Sequence, residues 1–85
     1  MEEKLKLIEE KISKVLQEQN VIISSISYLK EGKYNFLRIE LDKVNGLDLD
    51  SIVAATNLIN PLIDELGLID DSYILDVISK ESGGN

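Results

Sequence analysis

The sequence has no histidine, cysteine or tryptophan, and a single proline, Pro61. Without cysteine there is no disulfide framework, no thiolate metal site and no thiol nucleophile. Without histidine the commonest general base and the commonest metal ligand are missing as well. None of the serines sits in a G-x-S-x-G elbow, and neither a G-x-G-x-x-G nor a phosphate-cradling P-loop pattern occurs. No run approaches the roughly 18 apolar residues of a membrane span, and Met1 to Lys11 lacks the apolar core of a signal peptide. Basic residues are scarce late in the chain. Residues 38–85 hold ten acids against three bases (Arg38, Lys43, Lys80), whereas residues 1–37 hold six of each. The second half therefore accounts for the whole net charge of −7. Such a surface disfavours contact with a nucleic-acid backbone, which needs Lys and Arg to displace its counterions. The expectation is a soluble, cytoplasmic, non-enzymatic chain that uses no cofactor, binds no membrane and suits a basic protein partner.

What is present is enough apolar residue, 44% of the 85, for one small folded domain. The stretch Tyr34 to Leu66 organises the rest: a strand, a tight acidic loop and a long helix. Before it, Glu2 to Glu18 reads as a helix, with Met1, Leu5, Ile8, Ile12, Val15 and Leu16 along one arc and Leu7 off it. Asn20 suits a left-handed cap. Val21 to Leu29 is rich in β-branched residues and predicts a strand, and Lys30 to Lys33 supplies a hairpin turn with its glycine. Asn35 to Lys43 alternates cleanly, with Leu37, Ile39 and Leu41 facing a core and Phe36, Arg38, Glu40 and Asp42 facing water.

Asp48 is placed to cap the second helix, and Asp50 to sit in its first turn. Ile52, Val53, Thr56, Ile59, Ile63 and Leu66 are the expected buried stripe, with Leu58 and Leu62 off it and exposed. Pro61 should kink this helix or start a fresh turn, and Gly67 should stop it. Tyr73 to Ser79 reads as a third strand, parallel or antiparallel to the second, and residues 80–85 as a frayed polar tail. Residues 1–79 then form one α+β domain of two layers, ordered α-β-β-α-β, with a three-stranded sheet and both helices on one face.

Carboxylates are the remaining chemistry. Asp42, Asp48 and Asp50 surround the turn at Asn45-Gly46, but the spacing and terminal Glu of a calcium loop are lacking, so capping and solvation explain these acids. Arg38, between Phe36 and Glu40, is either a contact residue or half of a cross-strand ion pair. Leu58 and Leu62 either pack under the loop before the third strand or form an apolar interface, with weak homodimerisation as the consequence.

LRIELD at 37–42, GLDLDSIVAAT at 46–56 and NPLIDELGLIDDSYILDV at 60–77 together resemble the N-terminal domain of the RimP ribosome maturation factor family. The positions carrying the resemblance are Arg38, Asp42, Gly46, Leu49, Asp50, Thr56, Leu62, Asp64, Tyr73, Leu75 and Val77, with Asp76 where the family usually has Glu. Ser51 and Ile52 depart from a common Asp-Cys pair, and these 85 residues do not hold the SH3-like second domain of the family, as expected either of a domain excised from or reduced relative to the two-domain protein or of a divergent stand-alone relative. The resemblance implies a KH-like arrangement of the elements, although the Gly-x-x-Gly loop used in KH RNA binding is missing. It also implies a non-enzymatic assembly factor of the small ribosomal subunit, binding a basic ribosomal protein near the decoding centre. The contacts it suggests are Phe36, Arg38, Asp42, Asp48, Asp50 and Asp64. The alternative is a structural or dimerising domain with no ribosomal role.

Overall fold

The structure, a computed structural model, describes residues 1–80. Five elements follow in the expected order: helix α1 (Glu2–Gln17), strands β1 (Val21–Glu31) and β2 (Tyr34–Lys43), helix α2 (Leu49–Leu66) and strand β3 (Ile74–Ser79). Both helices pack on the sheet, whose strand order is β1-β2-β3. Of the tail expected at residues 80–85, residues 81–85 lie outside the described residues.

Helix α1 has no side-chain cap, and its acids Glu2 and Glu3 and its base Lys14 lie where the helix dipole favours them. Ile8, Ile12 and Leu16, four residues apart, are fully buried. Met1 departs from the predicted arc: it is the N-cap, half exposed, and stands one turn short of the core. Asn20 then takes φ 60°, the left-handed conformation that Asn tolerates, and turns the chain into β1.

The β1–β2 hairpin closes through Gly32-Lys33 between the paired Glu31 and Tyr34. Gly32 has φ 61°, at the position where a two-residue II′ turn calls for glycine. The register slips once, between Ile23 and Ser25, leaving Ser24 as a bulge. That extra residue resets the phase of the strand. Ile23 pairs with Leu41, Ile26 with Ile39 and Tyr28 with Leu37, so apolar residues of opposite sequence parity share the helix-covered face.

Helix α2 begins at Asp48, whose Oδ1 accepts the Ser51 N–H at 2.8 Å, and ends at Gly67 in the left-handed conformation, φ 57°. Its buried residues are Ala55, Ile59 and Ile63. Two expectations about its faces are corrected here. Val53 is half exposed, and Leu58 and Leu62 are partly buried against the core. At 3.6 residues per turn, Leu58 and Leu62 lie beside Ala55, Ile59 and Leu66, whereas Val53 points well away from them. Pro61 does not break the helix either. It is exposed, as is Asn57, so the one lost hydrogen bond falls on the solvent side, where water can take the free carbonyl.

Strand β3 settles the open choice of direction: it runs parallel to β2, pairing Leu75 with Leu37 and Val77 with Ile39. The core is then a single layer between sheet and helices. It joins Leu37, Ile39 and Leu41 of β2 to Ile8, Ile12 and Leu16 of α1, Val21 of β1, and Ala55, Ile59 and Ile63 of α2. Each large aliphatic side chain buried there contributes about 1.5–3 kcal/mol of transfer free energy.

Candidate interaction surface

The side chains that remain for function fall into three regions. The first is the sheet face that neither α1 nor α2 covers. There β1, β2 and β3 present cross-strand rows set by the register: Leu29, Phe36 and Ile74 in one, Ser27, Arg38 and Asp76 in the next. Arg38 Nε donates to Asp76 Oδ2 at 2.8 Å, and its Nη2 reaches Glu31 Oε1 at 3.5 Å. The hydrogen bond that it donates to Asp76, with the charges of Asp76 and Glu31, raises the guanidinium pKa further above its already high value. Arg38 is thus a cross-strand ion pair by geometry, with about a third of its side chain still open to water. Phe36 and Asp42 lie on this same face, and Asp42 Oδ1 accepts the adjacent Lys43 N–H at 2.8 Å.

The second region is the N-terminal end of α2. Asp48 and Asp50 are both exposed there, close behind Asp42. Hydrogen bonds from the side chain and then the backbone of Ser51 hold Asp48 below the ordinary carboxylate pKa, with Lys43 adding a favourable charge. Loop and cap together make an acidic corner, and among the described residues no group of three or more His, Cys, Asp or Glu could hold a metal ion.

Asp64 is elsewhere. Sixteen residues of helix separate it from Asp48, about 24 Å along the axis. It belongs to a third region at the other end of the sheet, a groove of about 430 Å³ lined by Asn60, Asp64, Asp71, Ser72, Tyr73 and Leu75. Asn35 Nδ2 donates to the Ser72 carbonyl at 3.2 Å and ties this loop to the start of β2. Burial, then the neighbouring Asp64 carboxylate, pushes the Tyr73 hydroxyl pKa up. With Glu65 and Asp70, also exposed, this end is acidic too. Sequence reasoning did not gather Asp71 and Tyr73 with Asp64. The run Asp70-Asp71-Ser72-Tyr73 carried the signal, but only the parallel placement of β3 brings it back beside the end of α2.

The six residues suggested as contacts therefore do not converge on one patch. Phe36, Arg38 and Asp42 share the open sheet face, Asp48 and Asp50 the helix start, and Asp64 the far groove. Leu58 and Leu62 lie on the covered side, against the core. Among the described residues no helix is long and apolar enough to cross a membrane.

The elements, the capped acidic turn into α2 and the Arg38-bearing central strand are the parts on which a family comparison bears. The model of the RimP N-terminal domain, a family with a role in ribosome maturation, matches residues 11–80, and the chain belongs to that family.

Proposed function

We propose that this domain is a non-enzymatic module of cytoplasmic ribosome assembly, acting on the immature small subunit by holding a basic ribosomal protein or its site. Beside the family match, the observation that carries this reading is the exposed acid at both ends of α2. Asp48 and Asp50 stand exposed at one end and Asp64, Glu65, Asp70 and Asp71 at the other. Complementary fields of this kind speed encounter and discriminate between partners, and exchange for rRNA contacts as assembly proceeds would release the module.

Co-sedimentation of the purified chain with immature small subunits across a salt series tests it. Binding should weaken as salt rises, because exposed charges are screened within about 8–10 Å at physiological ionic strength. It should weaken further when Asp48 and Asp50 are both changed to Asn. Asn is as good an N-cap as Asp, so helix α2 stays capped and only charge is lost. Retention that ignores both salt and these changes contradicts the proposal.

A second reading, a self-associating domain without a ribosomal role, rests on the exposed Ile22 and Val44 beside the unpaired edge of β1. Light scattering separates the two, since a dimer that persists at high salt belongs to the second reading alone.

A further inference from the structure

Among the described residues β1 is an edge strand, hydrogen-bonded to β2 on one side and to no strand on the other. Alternate backbone N–H and C=O groups along that side are open to a new partner. A groove of about 540 Å³ runs beside its first residues. Val21, Ile22 and Ile23 line it in succession, so its wall is the edge of the strand and not one of its faces. The outer flank of α1 forms the opposite wall through Glu9, Glu10, Ser13 and Gln17. Val44, 85% exposed, and Ile22, 61% exposed, give the groove an apolar lip.

We infer that this groove takes an extended basic segment of a partner protein, added as a fourth strand to the free edge of β1. Main-chain hydrogen bonds supply affinity in such strand addition, and alternate side chains supply choice. Here the side chains of the added strand that point toward α1 would meet Glu9 and Glu10, which suits Lys or Arg. Those pointing toward Ile22 and Val44 would be apolar. Charge also selects between occupants. A second copy of the chain would bring another net −7 to the complex, whereas a basic segment relieves that repulsion. The Ser24 bulge bears on extent: it interrupts the regular strand just beyond Ile23, which confines pairing to the first residues of β1.

The inference deepens the proposed function and rests on its basic partner, but it can fail separately. The probe is a seven-residue peptide alternating Arg or Lys with Val, beside the same peptide N-methylated at alternate amides, which keeps the charge and removes one row of donors. Amide hydrogen exchange and chemical shifts on the full 85-residue chain read the position. The unmodified peptide should protect amides within Val21–Ile23, bind more weakly as salt rises and lose about fivefold in affinity in the Glu9→Gln, Glu10→Gln double variant. The N-methylated peptide should lose that protection.

Equal binding of both peptides, shifts confined to Asp64 and Asp71, or no binding at low salt would each overturn the inference. So would protection of Val21–Ile23 that grows with protein concentration and without peptide, because the occupant would then be a second copy. Subunit co-sedimentation that survives while the peptide seats elsewhere removes the strand-addition mode and leaves the proposed function. The converse, a peptide seated on β1 by a chain that ignores subunits, removes the ribosomal reading and keeps the groove.

Discussion

The two faces of strand β2 differ more than any other two regions of the molecule. Leu37, Ile39 and Leu41 are fully buried under the helices, while Phe36, Arg38, Glu40 and Asp42, interleaved with them, face the side that neither α1 nor α2 covers. Backbone, register and neighbouring strands are common to both sets. Only the layer above them differs. The covered face gathers apolar side chains from four elements into a single cluster, and the open one carries an ion pair and a row of apolar residues, Leu29, Phe36 and Ile74, none of them fully buried. Stability is therefore concentrated on one side of the sheet, and the other is left free to vary with function.

The largest expected effect tests that division directly. Ile39→Ala removes a fully buried branched side chain from the centre of the core layer and should cost about 3 kcal/mol, including the cavity it leaves. A chain of this length has only about 4–13 kcal/mol to lose. Its thermal midpoint should fall by more than about 10 °C. Phe36→Ala, three positions back on the open face, should lower the midpoint by less than about half as much, although it deletes the larger side chain. Urea melts of the two variants, compared at constant slope, check this. Equal losses would show that the open face is covered in solution.

A smaller effect asks what holds the covering layer in place. Helix α2 sits on the sheet with a cap at each end, and its N-terminal cap is a carboxylate. Asp48 titrates below its ordinary value in the folded chain, so the unfolded state binds its proton more readily. The stabilisation it provides is complete above the unfolded carboxylate range and is lost as pH falls through the lower, folded value. Asp48→Asn keeps the cap but removes the titration. Wild type should therefore lose more urea resistance than the variant between about pH 6 and pH 3. Parallel loss in both proteins would remove Asp48 as a source of the pH dependence.

Much of this architecture was legible because burial follows short periods. The alternation of Leu37, Ile39 and Leu41 and the Ile8, Ile12, Leu16 spacing each name one face without tertiary information. The caps at Asp48 and Gly67 were legible for the same reason, being local chemistry. Three features were not. The Ser24 bulge arises because Val21 and Ile23 alternate out of phase with Ile26 and Tyr28, and a single strand pattern cannot say which half shifts. Helix α2 keeps a polar side at Asn57, Asn60 and Asp64, but its apolar stripe is wide, and a narrower arc centred on Ile52, Ile59 and Ile63 leaves Leu58 and Leu62 outside it. The direction of β3, which decides that Asp71 and Tyr73 join Asp64, depends on a long-range pairing with β2. Composition located the acid but not its division between two ends of a helix.

The smallest expected effect lies on the open face, at the residue that looked most functional. Arg38 bridges all three strands by reaching Asp76 on β3 and Glu31 on β1. Its pair with Asp76 is short and well directed, yet about a third of each side chain meets water, where Coulomb attraction is screened and side-chain entropy opposes the contact. Arg38→Met keeps most of the aliphatic stem on the sheet while removing the charge. Its urea midpoint should lie closer to wild type than that of Phe36→Ala, and the difference should shrink further at high salt. Subunit co-sedimentation then reads the other half of the comparison. If Arg38 only ties the strands together, retention follows stability and hardly changes. A clear change in retention at unchanged stability would place a partner on the open face, over Asp76 and Glu31 left without their cation.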